Sequence, residues 1–404
     1  MRRLQALAIA AAVVVAAFST GLPFLFYLVY LGLLVVGGSY VLTRLALANL
    51  EAGYAVSQRY GHVGDELDIT YTVRNAGRLP KPWLEVHNPT TLPGGLPGRA
   101  LSVGARSSRT WRARLLLTQR GAYTIAPLQV RAGDPFGFFE ATAGVGQGIT
   151  LLVYPRLEPL PFWRLPTAMV EGSHALPERT HQATALATTV RPWAPGDSFN
   201  RIHWPTTARV GEIQVKEFDL EQTADAWIFL DLDEAVQAGS GDDSTVEVAV
   251  RAAASIADRA LTENRAVGLT ATSLRTVVLP ADRGARQHLK VMEALASVNG
   301  DGVTSLAEAL VVGLPRLRRG MTAVVITAST DPAWVRPLVS LRPRGVSSVV
   351  IALDAASYAT GPGEGTTSPT EPSGARVLRH TLAEYDLPAY TLRAGHRLAD
   401  ALAR

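Results

Sequence analysis

The sequence predicts a multidomain protein, in which an N-terminal transmembrane helical hairpin is followed by an all-β sandwich and then by a doubly wound α/β domain. Three observations support this. The chain opens with two uncharged apolar runs, continues with short alternating runs separated by Gly, Pro and Asn, and ends with continuous apolar segments that alternate with amphipathic ones. At 404 residues the chain is long enough for two domains and a membrane segment.

The hairpin, residues 1–45, is indicated by two stretches without charge, at about 4–20 and 22–43. A bilayer core needs roughly 20 apolar residues per helix, and both stretches come close to this length. Arginines flank the pair and are absent from the turn, so we expect a cell-membrane protein with two spans, with lipid contacts through the hairpin and with both termini in the cytoplasm. A cleaved signal peptide followed by one span is the alternative.

The next segment, residues 50–155, has the strand and turn pattern of a β-sandwich. Between Arg74 and Arg120 its only acidic residue is Glu85, which predicts a basic surface, either against anionic lipid or simply solvated. No element suited to reading bases is visible, so we expect no nucleic-acid partner. The candidate strands are 65–73, 82–88, 107–117 and 122–132.

A proline-rich connector, 156–190, leads through segment 191–219 to the α/β domain at 220–404, in which buried strands alternating with amphipathic helices predict a parallel sheet. Residues 355–375 are expected to form an exposed loop. The candidate strands are 226–232, 266–272, 322–328, 346–354 and 388–394, and the candidate helices are 245–262, 285–297, 304–317, 332–341 and 376–386.

Segment 191–219 is dense in charged and aromatic side chains around a Pro-Gly-Asp turn. We interpret it as a polar network that, together with tryptophan packing, links two structural units. The alternative is that the segment forms a binding site. If the network interpretation is right, Asp197→Ala should leave a buried arginine without its partner and cost several kcal/mol. Its residues are Arg191, Trp193, Pro195, Gly196, Asp197, Arg201, His203, Trp204 and Arg209.

The run Arg-x-aromatic-x-Pro-Gly-Asp, followed by Arg-Ile-His-Trp and Ala-Arg, resembles the bacterial "domain of unknown function 58" proteins. Trp193 stands where the family usually has Tyr, and Asn200 and Pro205 stand where it usually has Arg and Lys. The resemblance implies a von Willebrand factor A-like last domain and a MoxR-type AAA+ ATPase as partner. It therefore implies a scaffold or adaptor in the assembly or maturation of envelope or secreted proteins.

In von Willebrand factor A domains, a metal-ion-dependent adhesion site uses an Asp-x-Ser-x-Ser run, a later Thr and a further Asp. By this resemblance Asp231, Asp233 and Thr304 match or can replace ligands, whereas Ala235 and Ala328 stand where oxygen donors are expected. No cofactor is certain, and Mg²⁺ or another divalent cation is the candidate. The alternative is a relic site in which the two aspartates only cap the following loop and helix.

We expect no enzyme, because the sequence has no phosphate loop, no nucleophile elbow and no cysteine. A metal-dependent adhesion or ligand-binding module outside the cell is the alternative to the scaffold. A hydrolase that uses His203 with Asp197 is a third hypothesis.

Overall fold

The computed structural model describes residues 2–134, 136–166, 189–194, 197, 199–217, 225–359 and 373–403. Most of the predicted connector, Pro195, Gly196 and most of the predicted loop 355–375 lie outside these ranges. The chain divides into two compact units, and each is described by itself. One is Met1–Leu157 with Met292–Ser297, and the other is Glu158–Val291 with Val298–Arg404.

Two apolar helices begin the first unit, α1 (Arg2–Thr20) and α2 (Pro23–Leu47). Among the described residues, α2 is the one helix long and apolar enough to cross a membrane, and the apolar part of α1, Ile9–Thr20, is shorter. The N-terminal region therefore has one helix of membrane-spanning length.

A β-rich part follows, called the β unit below. Its two antiparallel sheets, ordered β1-β3-β6 and β5-β4-β8-β9, turn buried side chains such as Ile69 and Val130 into one core, and β2-β10-β7 form a third sheet. The strands are β1 (Leu50–Val56), β2 (Tyr60–His62), β3 (Glu66–Asn75), β4 (Lys81–His87), β5 (Arg99–Val103), β6 (Ser108–Leu116), β7 (Gly121–Ile125), β8 (Leu128–Gly133), β9 (Glu140–Val145) and β10 (Ile149–Tyr154).

The strand predicted over 122–132 is wrong as a single element, because the structure has β7 and β8 there, in different sheets. Pro127 lies in the gap between them, where it fixes φ and cannot donate a ladder hydrogen bond. Two arginines of the predicted basic surface have acidic partners. Arg74 pairs with Glu51, and Arg114 lies 3.1 Å from Asp68, so acidic residues outside the counted window balance arginines inside it.

The second unit contains the strand and helix pieces of segment 191–219 and continues as an α/β region, called the α/β unit below. Its elements are β11 (Thr189–Pro192), α3 (Trp204–Val210), β12 (Gln214–Glu217), β13 (Ala226–Leu230), α4 (Thr245–Thr262), β14 (Val267–Ala271), β15 (Val277–Asp282), α5 (Gly284–Ser297), α6 (Leu306–Gly313), β16 (Thr322–Thr327), α7 (Val335–Val339), β17 (Ser347–Leu353), α8 (Ala355–Ala359), α9 (Ser373–Glu384), β18 (Ala389–Leu392) and α10 (Leu398–Leu402).

The α/β sheet has the order β15-β14-β13-β16-β17-β18, and only β15 runs antiparallel to its neighbour. Strand β13 is central and buried throughout. Its Trp227 and Phe229 pack with residues of α6, α7 and α9 on one face, while α4 contacts the strand through a row of buried alanines. Helices therefore cover both faces. The sequence did not predict β15, and α8 lies inside the predicted loop 355–375.

Candidate functional site

The carboxyl ends of β13, β14 and β16 meet at one edge of the α/β sheet, which is where ligands bind in folds of this kind. Polar side chains lie at each of these ends and bond to one another or to the neighbouring backbone. The Thr272 hydroxyl, after β14, accepts the N–H of Leu232, after β13, at 2.8 Å. The Thr327 hydroxyl, at the end of β16, donates to the carboxylate of Asp231 at 2.6 Å. The three strand ends are thus joined by side chains.

Asp231 is the buried centre of this edge, with only 1% of its surface exposed. One carboxylate oxygen accepts from Thr327 and the other accepts the N–H of Asp233 at 3.2 Å. Burial raises the pKa of Asp231 above its usual value, and the hydrogen bond from Thr327 offsets only part of that effect. The charged form of this carboxyl group is therefore less favourable here than it is in water.

Asp233 turns away to cap the short turn that follows it, where its side chain accepts the N–H of Ala235 at 3.1 Å. Its backbone pairs with Gly302, which accepts the N–H of Glu234 at 2.9 Å. This pairing brings Thr304, two residues further along, to the same edge. Asp231 and Asp233 thus lie at one end of the sheet, and Thr304 follows on the loop that is paired there through Gly302.

Gly302 is held closely enough that only glycine fits. A Cβ there would lie 1.7 Å from the backbone oxygen of Thr272 and 2.8 Å from that of Leu232. Both neighbours are backbone atoms and cannot rotate away. The loop that carries Thr304 is therefore fixed against the ends of two strands, which sequence periodicity alone did not reveal.

The residues present do not fit a complete adhesion-type magnesium site. Both oxygens of Asp231 already accept hydrogen bonds, and Asp233 caps its own turn. Ala235 and Ala328 supply no side-chain oxygen at the remaining positions, and Ala328 is buried. Across the described ranges, no three His, Cys, Asp or Glu side chains are grouped as metal ligands would be. Asp233 behaves as the relic alternative expects.

Two apolar side chains stand out at the rim of this edge: Leu274 is 66% exposed and Val303 is 78% exposed. Asp301 ties their loops together, since its carboxylate accepts the N–H of Leu274 at 2.9 Å. We call Leu274 and Val303 the apolar rim. Sequence analysis missed both residues, because a single leucine or valine in a loop carries no periodic signal.

Segment 191–219 forms a separate structure in the second unit, in which β11 and β12 pair antiparallel. Arg191 makes two 2.7 Å hydrogen bonds to the Asp197 carboxylate, which also accepts the N–H of Ala194 at 2.9 Å. The Trp193 indole N–H donates to the Asp197 backbone oxygen, and its ring stacks on Phe199. Part of the predicted network thus forms. It is not fully buried, because 42% of the Arg191 side chain is exposed.

The other members of the predicted network are placed differently. Trp204 is 66% exposed and Arg209 is also exposed, so the tryptophan packing expected from the sequence is wrong for Trp204. The His203 ring bonds to the Thr206 hydroxyl at 2.6 Å. Pro195, Gly196 and the side chain of Arg201 lie outside the described residues.

Comparisons with known proteins place the chain among bacterial relatives. The uncharacterized protein YeaD of Bacillus subtilis is 25% identical over 320 residues, which cover 76% of this chain and 77% of that protein. The uncharacterized protein Rv1480 of Mycobacterium tuberculosis is 31% identical over 175 residues, which cover 41% of this chain and 53% of that protein.

Among solved structures, conserved hypothetical protein BatB from Bacteroides thetaiotaomicron is 16% identical with a TM-score of 0.32, over 45% of this chain and 95% of that chain. The family model described as "Protein of unknown function DUF58" matches residues 189–378, which include segment 191–219 and most of the α/β unit. Through these residues, the chain is similar to the DUF58 family.

Proposed function

We propose that this protein is a membrane-anchored, non-enzymatic scaffold or adaptor that presents the carboxyl edge of its α/β unit to a partner protein. The observation that carries this proposal is the apolar rim. Two apolar side chains that are more than half exposed sit on loops fixed by backbone pairing and by Asp301. Rigid apolar groups around a closed polar centre suit a protein contact better than a small-molecule cavity.

A von Willebrand factor A-like assignment of the α/β unit is part of this proposal. The strand order, with one antiparallel strand at the edge and helices on both faces, is consistent with it. So is the position of Asp231 and Asp233 directly after the central strand, since such domains bind partners at that edge.

For the anchor, we propose that α1 and α2 are two spans with both chain termini in the cytoplasm. The arginines that flank the pair support this orientation. The partner we propose is a MoxR-type AAA+ ATPase, which the family resemblance implies, acting in the assembly or maturation of envelope or secreted proteins.

The test is binding between the detergent-purified full chain and a MoxR-type ATPase of the same organism. Val303→Lys and Leu274→Lys should each weaken binding, because a charge must then be desolvated in the contact. Leu289→Lys on α5 is the matched control, since Leu289 is also exposed, at 46%, but lies outside the rim. Unchanged binding by both rim variants, or no binding by the unmodified chain, would contradict the proposal.

A metal-dependent adhesion or ligand-binding module outside the cell is the second candidate. The positions of Asp231 and Asp233 directly after the central strand favour it, but their hydrogen bonds and the alanines at the remaining ligand positions weaken it. Calorimetric titration of Mg²⁺ into the full chain and into the Asp231→Ala variant separates the two candidates. Heat of binding that disappears in the variant would support the metal-dependent module.

A further inference from the structure

Helix α2 does not have all of its length free for lipid. Its residues Ser39, Thr43, Ala46 and Leu47 recur at helical spacing, and the first two are buried while the last two pack against the core of the β unit. Lys81 of β4, itself 3% exposed, donates to the Leu45 and Ala48 backbone oxygens at 2.8 Å each. The last turns of α2 are thus bound to the β unit along one face and at the end.

The length of the free part is too short to cross a membrane. From Pro23 to Gly38 the helix rises about 24 Å, at about 1.5 Å per residue. The hydrocarbon core of a bilayer is about 30 Å thick, so a spanning helix needs about 20 residues. Counted from Pro23, the far boundary of the hydrocarbon core then falls at about Leu42. If α2 spans the bilayer, its first contacts with the β unit, which begin at Ser39, therefore lie at the depth of the lipid headgroups.

The opposite face of the same helical turns of α2 also indicates that this part of the helix lies at the level of the membrane. Val41 is 52% exposed, Leu42 is 55% exposed and Leu45 is 41% exposed, although the helix is packed on the β unit behind them. In a membrane, lipid would cover these side chains. In water, they would remain an exposed apolar stripe next to the membrane-spanning part of the helix. The apolar surface of α2 thus extends past the level at which the β unit begins.

The part of the β unit that contacts α2 at this level is the turn between β8 and β9. Ser39 of α2 interacts electrostatically with the Asp134 carboxylate, and the Tyr40 and Phe139 rings meet edge to face at 5.6 Å. The Asp134 carboxylate also accepts the N–H of Phe139, and that of Phe136 at 2.9 Å. The turn is therefore held in place by the same side chain that holds the helix.

The turn carries an exposed aromatic pair. Phe136 is 62% exposed and Phe138 is 39% exposed, and their rings stack at 5.9 Å. Trp83 of β4 is 41% exposed and lies over Gly133, directly before the turn. Trp and Tyr side chains are enriched where proteins meet the membrane–water interface, and exposed phenylalanine rings gain free energy there by leaving water.

We propose that the β unit lies against the lipid headgroups of the membrane that α2 enters, with Trp83, Phe136 and Phe138 inserted at the interface beside Tyr40. We call these four side chains the interfacial aromatics. Arg44, which lies over the Tyr40 ring at 5.7 Å, places a cation at the same level, where anionic headgroups attract it. This inference rests on the proposed membrane anchor and adds a second, peripheral contact with the bilayer.

The test uses the absence of cysteine from the chain, so that one introduced cysteine is the single labelling site. The full chain is labelled with the environment-sensitive fluorophore NBD at Phe136→Cys and reconstituted in vesicles of phosphatidylcholine and phosphatidylglycerol. Phe138→Cys is the second variant, in case the first does not fold. Leu34→Cys on α2, 71% exposed, reports the anchor, and Leu116→Cys on β6, 54% exposed, is the matched control within the β unit.

We expect a blue-shifted emission at 136 and at 34, and a loss of emission at both when the vesicles contain spin-labelled lipids. The label at 116 should keep its emission. Quenching at 34 without quenching at 136 and 138 overturns the interfacial contact and leaves the anchor intact. No quenching at 34 overturns the anchor and the contact together. Equal quenching at 116 and 136 also overturns the proposal, because the β unit would then have no preferred face.

Discussion

Replacing Asp231 by asparagine tests whether the carboxyl edge of the α/β unit is a closed structural centre or a cation site. The side chain is 1% exposed, and the described residues give it a hydroxyl and an amide N–H as donors. Asparagine keeps the shape; its amide oxygen can accept the N–H of Asp233, and its amide N–H can donate to the Thr327 hydroxyl oxygen. The substitution also removes an ionisable group that is exposed to water in the unfolded chain and buried in the folded one. We therefore expect the variant to be more stable than the unmodified chain at neutral pH.

The expected increase in the free energy of unfolding follows from the cost of desolvating the buried carboxylate. An imperfectly compensated buried polar group costs about 1–3 kcal/mol. For a domain of this size, about 1 kcal/mol corresponds to about 2–4 °C in Tm. Differential scanning calorimetry of the full chain in detergent should show the α/β transition move upward by a few degrees. Asp233→Asn is the matched control, since Asn and Asp cap turns equally well, and its Tm should not change.

The pH dependence has a definite sign. The pKa of Asp231 is raised in the folded state, so the carboxyl group costs no stability below its unfolded pKa of about 3.9. Stability is then lost as the pH rises through the folded pKa. The stability advantage of the Asp231→Asn variant should be larger at neutral pH than at pH 4. A variant less stable than the unmodified chain, or a rise of Tm with Mg²⁺ that the variant loses, would refute this reasoning.

Three further variants test other contacts by the thermal midpoint of the full chain. Asp197→Ala should cost only about 1 kcal/mol, because the Arg191 side chain is 42% exposed and water can replace the carboxylate; a loss of several kcal/mol would indicate a fully buried pair. Gly302→Ala should lower the free energy of unfolding by about 3 kcal/mol or more, because the new Cβ would clash with backbone atoms. Gly53→Ala is its control and should be near neutral, because a Cβ there has no atom within 4 Å. Equal effects of the two substitutions would contradict this reasoning. Lys81→Met should cost about 3 kcal/mol by removing two charged hydrogen bonds to the end of α2, and an unchanged midpoint would show that these bonds do not stabilise the junction.

The parts of the fold that depend on local periodicity could be predicted from the sequence. Strands β13 and β16 are buried on both faces and appear as continuous apolar runs, so their positions were found within a residue or two. Strand β15 was missed because its residues are only half buried and show no alternation. The break at Pro127 was missed because the apolar pattern continues through it.

Contacts between distant residues could not be predicted. Lys81 bonds to backbone oxygens more than 30 positions away in the chain, and backbone acceptors leave no trace in a sequence. Arg74 and Arg114 were counted in a basic window, but their acidic partners lie before it. At the candidate site, Asp231 and Asp233 were found through the resemblance. The apolar rim became visible only once the loops were placed.

The measurement that tests the central claim most directly is the membrane topology of the full chain. Reporters active only in the cytoplasm, or only outside it, are fused after Arg404 and both are read in cells. The scaffold proposal predicts signal from the cytoplasmic reporter alone, because the α/β unit must reach a cytoplasmic ATPase. Signal from the external reporter alone would contradict it, since the apolar rim could then never meet that partner.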